Sequence, residues 1–120
     1  MFKKSLIAAL VLAVAPQITW AHAHVGTSSP AKDAVVKTAP ASITLTLTEG
    51  LEAAFSSLTL LDASGKVVPT DKSALAPGDN KTLVLPLGKA LPAGAYTVKW
   101  QALSKDGHKT HGSWSFTVQP

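Results

Sequence analysis

The 120-residue chain has no cysteine and no arginine. Without thiols, it has no route to a disulfide, a thiolate zinc site, an iron–sulfur cluster, a blue-copper centre or a cysteine nucleophile. An exported domain of this size often carries a disulfide, so here the hydrophobic core must suffice. Arginine is the usual reader of phosphate and base edges. Its absence, with lysines scattered along the chain, argues against nucleic-acid binding and against a strong anionic-membrane patch. Methionine is limited to Met1, so soft thioether ligation of a metal has no donor beyond the first residue. No second apolar run follows the N-terminal one, and no segment has convincing amphipathic-helix periodicity.

The N-terminus has the order of features that export requires. Lys3 and Lys4 are the positive start, Leu6 to Ala15 the apolar run, Pro16 its break, and Thr19 and Ala21 the small residues before cleavage. The run falls short of the roughly 20 residues that cross a bilayer. Residues 1–21 therefore read as a signal peptide and 22–120 as one mature domain, large enough to own a core. Lys3 and Lys4 leave with the signal, which lowers the formal charge of +4 by two. The expected destination is the periplasm, and the expected state a monomer.

The mature part reads as all-β. Ser42 to Thr48, S-I-T-L-T-L-T, alternates polar and apolar residues, the pattern of a half-buried strand. Further strands are expected at 58–61, 82–87, 95–103 and 113–118, with an extended piece at 66–68. Turn clusters separate them at Asp62-Ala63-Ser64-Gly65, Pro77-Gly78-Asp79-Asn80 and Leu91-Pro92-Ala93-Gly94. Residues 22–40 read as an extended lead-in with one edge strand. Short strands broken by frequent turns suggest a sandwich or barrel. Tyr96, Val98 and Trp100 fall on one face of their strand, Trp114, Phe116 and Val118 on one face of theirs, and both tryptophans are expected in the core.

Four histidines stand in pairs at the two ends of the mature chain: His22 and His24, His108 and His111. Cleavage after Ala21 makes His22 the first residue. Its α-amine, with a pKa of about 8, and its imidazole can then chelate one metal ion. Copper(II) heads the divalent affinity order and favours tetragonal nitrogen and oxygen sites. The loop Lys105-Asp106-Gly107-His108 offers a carboxylate and an imidazole at i and i+2, which project to one side of an extended chain. The candidate ligands are therefore His22, Asp106 and His108. A rival geometry needs only the N-terminus: amine, two backbone amides and the imidazole of His24 in third position. Otherwise His24 is a neighbour of the site or exposed. His111 reads as an exposed loop residue. Glu49, at the end of the alternating strand, is either an acceptor for a ligating imidazole or a solvated charge.

These residues resemble the CopC-like periplasmic copper-resistance proteins over essentially the whole mature chain. The resemblance is carried by His22-Ala23-His24-Val25 with Pro30 eight residues after the histidine, by Ala39-Pro40 and Ile43, Leu45, Leu47 and Glu49, by Leu91 to Trp100, by Ser104, Asp106-Gly107-His108 and Gly112, and by Phe116-Thr117-Val118. It implies an immunoglobulin-like Greek-key β-sandwich with a copper(II) site of the histidine-brace type. The implied ligands are His22 through amine and imidazole, Asp106, and His108. Some members also hold copper(I) on a methionine-rich loop, which this sequence lacks, so it resembles a copper(II)-only member. The implied role is a carrier or buffer that hands copper to an inner-membrane transport or resistance protein.

Two other function classes fit parts of the sequence. A histidine brace on a β-sandwich also occurs in copper oxygenases that cut polysaccharides, but those need an open coordination position and a broad aromatic face. A plain immunoglobulin-like interaction module needs no metal at all. Peroxide-driven turnover marks the first, and indifference to copper the second. Ala21-His22-Ala23 is itself an A-x-A cleavage pattern, so a start at His24 competes with a start at His22. The intact mass of the exported protein should correspond to residues 22–120. A mass for 24–120 would place the wrong histidine first.

Overall fold

The computed structural model describes residues 24–120, so the signal segment, Trp20 and His22 lie outside the described residues. Eight strands follow in order: β1 (Val25–Ser29), β2 (Val35–Val36), β3 (Ser42–Leu47), β4 (Ser57–Leu61), β5 (Ala74–Ala76), β6 (Asp79–Pro86), β7 (Gly94–Leu103) and β8 (Lys109–Val118). A short 3-10 turn, Ala53–Phe55, precedes β4. The strands form two four-stranded sheets, ordered β1-β3-β6-β5 and β2-β8-β7-β4. The chain crosses between sheets after each of its first four strands, and then adds one antiparallel hairpin to each sheet, β5–β6 and β7–β8. The result is the expected all-β sandwich.

Alternation builds the core. Ile43, Leu45 and Leu47 of β3 face Leu83, Leu85 and Leu87 on the β6 side, while Leu58 and Leu60 of β4 join Tyr96, Val98, Trp114, Phe116 and Val118 from the second sheet. All are buried, whereas their alternating neighbours are at least partly exposed. Tyr96 stacks on Phe116, with centroids 5.7 Å apart, and donates from its hydroxyl to Pro92 O at 2.7 Å. Burial pushes its phenol pKa up. Trp114 Nε1 donates to Pro30 O at 2.8 Å, a buried bond joining the last strand to the residue after β1. The Ser29–Pro30 peptide is cis.

Four expectations need correcting. The lead-in holds two edge strands, β1 and β2, one in each sheet, where one was expected, because β1 pairs with β3 and β2 with β8. Trp100 is only half-buried: it packs on the rim of the core with its indole lying over Gly112, opposite it in the ladder. β8 begins at Lys109, four residues before the periodic apolar signal, because ten consecutive pairs with β7 carry it to the hairpin tip. His111 is therefore a strand residue, paired with Gln101, and not a loop residue. It is exposed, as expected.

Truncating a fully buried leucine leaves a cavity that a close-packed sandwich cannot collapse. Leu45→Ala should destabilise the domain by about 2–5 kcal/mol. Thr44→Ala, on the opposite face of the same strand, should stay within about 1 kcal/mol. Denaturant melts of the two variants check the inward and outward assignment of β3.

Candidate metal centre

Ser104 to His108 form the tip of the β7–β8 hairpin, between the last ladder pair, Leu103 with Lys109, and its return. The tip is closed by Gly107 N–H to Ser104 O and Ser104 N–H to His108 O, both 2.9 Å. Gly107 has φ 92°, a left-handed conformation that a residue with a Cβ adopts at a cost. This is the physical reason for a glycine between the two candidate ligands.

The loop organises its own donors. Ser104 is fully buried. Its hydroxyl donates a short hydrogen bond to Asp106 Oδ1 and accepts from His108 N–H at 3.3 Å. His108 Nδ1 lies 3.1 Å from the same Oδ1. Every hydrogen bond of the carboxylate falls on Oδ1, which leaves Oδ2 without one among the described residues. The Ser104 hydroxyl holds the Asp106 carboxyl below the usual carboxylate range, with His108 contributing further. Asp106 therefore stays anionic into mild acid. Among the described residues, no group of three histidine, aspartate or glutamate side chains converges as a metal site. The structure brings together Asp106 and His108, while His22 lies outside the described residues.

The loop is tied to the chain's other end through one short segment after β3. Lys105 N–H donates to Gly50 O at 2.9 Å, and Leu51 bridges to Ser104. Two residues earlier, Thr48 N–H donates to His24 O and His24 N–H donates to Thr48 Oγ1, both 2.9 Å. His24 and the Ser104–His108 loop thus both hang from the stretch 48–51. A Cβ at Gly50 would meet the Asn80 side-chain amide at 2.8 Å, so that side chain would have to move aside, and Asn80 O accepts from Leu51 N–H. Lys105 reaches Glu52 at 3.5 Å across the same junction. Glu49 is half-buried and makes no side-chain hydrogen bond among the described residues. His111 projects from β8 beside Gln101, outside the Ser104–His108 loop.

Sequence reasoning found Asp106 and His108 but gave no role to Ser104, Thr48 or Gly50. Ser104 carried a signal in its position two residues before Asp106, the spacing of a local side-chain hydrogen bond. The other two act through partners more than twenty residues away, and local spacing is blind to them.

Residues 25–119 match the CopC domain. The chain is 37% identical over 113 residues to Protein YobA of Escherichia coli K12, covering 94% of this chain and 91% of that one. It is 37% identical over 128 residues to Copper resistance protein C of Xanthomonas campestris pv. juglandis, covering 99% and 100%. The crystal structure of CopC from Methylosinus trichosporium OB3b superposes with a TM-score of 0.77 at 33% identity, over 82% of this chain and 95% of that one. The chain belongs to the CopC family.

Ser104→Ala removes the main cause of the low Asp106 pKa. That pKa should rise toward the ordinary carboxylate range, as followed by NMR of the side-chain carboxyl carbon. The sign for stability follows from linkage. Asp106 titrates lower in the folded state than in the unfolded one, so its contribution is full above an unfolded pKa of about 3.9 and is lost as pH falls through the folded value. The part of the Ser104→Ala penalty that comes from this bond should therefore shrink in acid.

Proposed function

We propose that this chain is an exported copper(II) carrier or buffer whose single site joins the processed N-terminus to the Ser104–His108 loop. Membership of a family that includes copper resistance proteins gives it a copper-related role. The finer reading rests on one observation: Asp106 and His108 sit side by side on a loop that is tied, through residues 48–51, to His24 just ahead of β1. The ligands on this reading are the His22 α-amine and imidazole, Asp106 through Oδ2, and His108. This is a nitrogen and oxygen set suited to copper(II). Ser104 braces the other carboxylate oxygen and so orients both loop ligands.

The third-position alternative fits less well. It requires the His24 amide nitrogen to turn toward the metal and lose its proton, yet that N–H donates to Thr48 Oγ1 in a strand-like pairing. An oxidative enzyme also fits less well, since Asp106 would occupy the position that a reacting oxygen species needs. A carrier needs reversible binding and no open position. The receiving partner on this reading is an inner-membrane transport or resistance protein, and the working compartment is the periplasm. No helix among the described residues is long and apolar enough to cross a membrane.

The mature protein should bind one copper(II) tightly and copper(I) poorly. His108→Ala, Asp106→Ala and one extra residue ahead of His22 should each weaken copper(II) binding by orders of magnitude, while His111→Ala should do little. Affinity should fall in acid, because amine and imidazole nitrogens must shed protons to bind, whereas Asp106 is already charged. Competition titrations with a chelator of known strength read all of these. Unchanged affinity in both His108→Ala and Asp106→Ala would rule out the two-ended site, and stoichiometric tight copper(I) binding would rule out the selectivity.

A further inference from the structure

We propose that Thr48 is a positioning residue: its hydroxyl roots the N-terminal half of the metal site. The inference rests on the two-ended reading above and adds to it what holds the free end in place. On the sequence, Thr48 is only the last outward residue of an alternating strand. In the structure it grips His24 from both sides, with its Oγ1 accepting from His24 N–H and its own N–H donating to His24 O, each at 2.9 Å.

His24 sits at the end of a short run of pairing, with one ladder pair, Val25 with Leu47, between it and an irregular step. The β1–β3 register shifts between Val25 and Thr27, so the ladder is irregular just beyond the histidine. A bulge of this kind interrupts the regular bonds and bends the strand. Thr48 supplies a donor–acceptor pair to the residue just ahead of the irregular stretch: its backbone N–H donates and its hydroxyl oxygen accepts.

The consequence for the site is one of reach. The His22 amine lies two residues ahead of His24, so it stays within about 7 Å of that residue's backbone. The copper loop is anchored at Gly50, two residues beyond Thr48 along the same backbone. Fixing His24 on Thr48 therefore confines the terminal amine near Asp106 and His108. An unrooted arm would sample a larger volume and lose part of its effective concentration.

Thr48→Val removes the hydroxyl and keeps the branched shape, while Thr48→Ser keeps the hydroxyl and removes the methyl. In the metal-free protein, Thr48→Val should speed hydrogen exchange at the His24 amide about tenfold and leave the Lys105 amide unchanged. Its copper(II) affinity should fall about five- to tenfold, the worth of one hydrogen bond, with an unchanged melting midpoint. Thr48→Ser should restore exchange and affinity to near the parent values. Parent-like exchange and affinity in Thr48→Val would overturn the proposal. So would equal impairment in Val and Ser, which would assign the effect to the methyl group. A failure of the two-ended site itself would show separately, as copper affinity indifferent to Asp106→Ala, and the metal-free exchange rates would still decide whether Thr48 holds His24.

Discussion

The hydrogen bond from Lys105 N–H to Gly50 O, with the Leu51–Ser104 bridge beside it, is the constraint on which the site depends. Without it, the β7–β8 hairpin would end in a free loop and the N-terminus would be an unrelated strand in the other sheet. With it, the exit of β3 belongs to both sheets at one end of the sandwich. At position 50 the Asn80 side chain lies in the space that a Cβ would take. The geometry of the candidate site is thus set by backbone registry, and the candidate ligands Asp106 and His108 are mounted on it.

Within that frame, the loop handles charge economically. One buried hydroxyl, Ser104, keeps the Asp106 carboxylate anionic and fixes its orientation, while the positive φ at Gly107 lets His108 turn back beside it. Asp62 and Asp79 are held low by similar local bonds at other turns: Asp62 accepts from Ser64 and Lys66, and Asp79 from Lys81 and Thr82. The motif is therefore ordinary turn chemistry. What distinguishes Asp106 is the imidazole at 3.1 Å.

The long strands were legible because a half-buried sheet writes its period directly into the sequence, as in S-I-T-L-T-L-T over β3 and A-Y-T-V over β7. Two features were not. β5, Ala74–Ala76, is three small or aliphatic residues with no β-branched signal and owes its form to pairing with β6. The first four residues of β8, Lys109 to Gly112, have no apolar alternation and are strand only because β7 continues opposite them. The site divides the same way. Asp106-Gly107-His108 is a local motif and could be read directly. Thr48 and Gly50 matter through contacts with His24 and Lys105, which only the folded chain brings near. Family likeness narrowed a sandwich or barrel to an immunoglobulin-like sandwich and favoured a start at His22 over His24, neither of which strand spacing alone decides.

The central claim is that one copper(II) ion is held by imidazoles from both ends of the mature chain. Pulsed EPR of the copper-loaded protein counts coordinated imidazoles directly. The parent should show two, from His22 and His108, and His108→Ala should show one. An identical count in both would contradict a two-ended site.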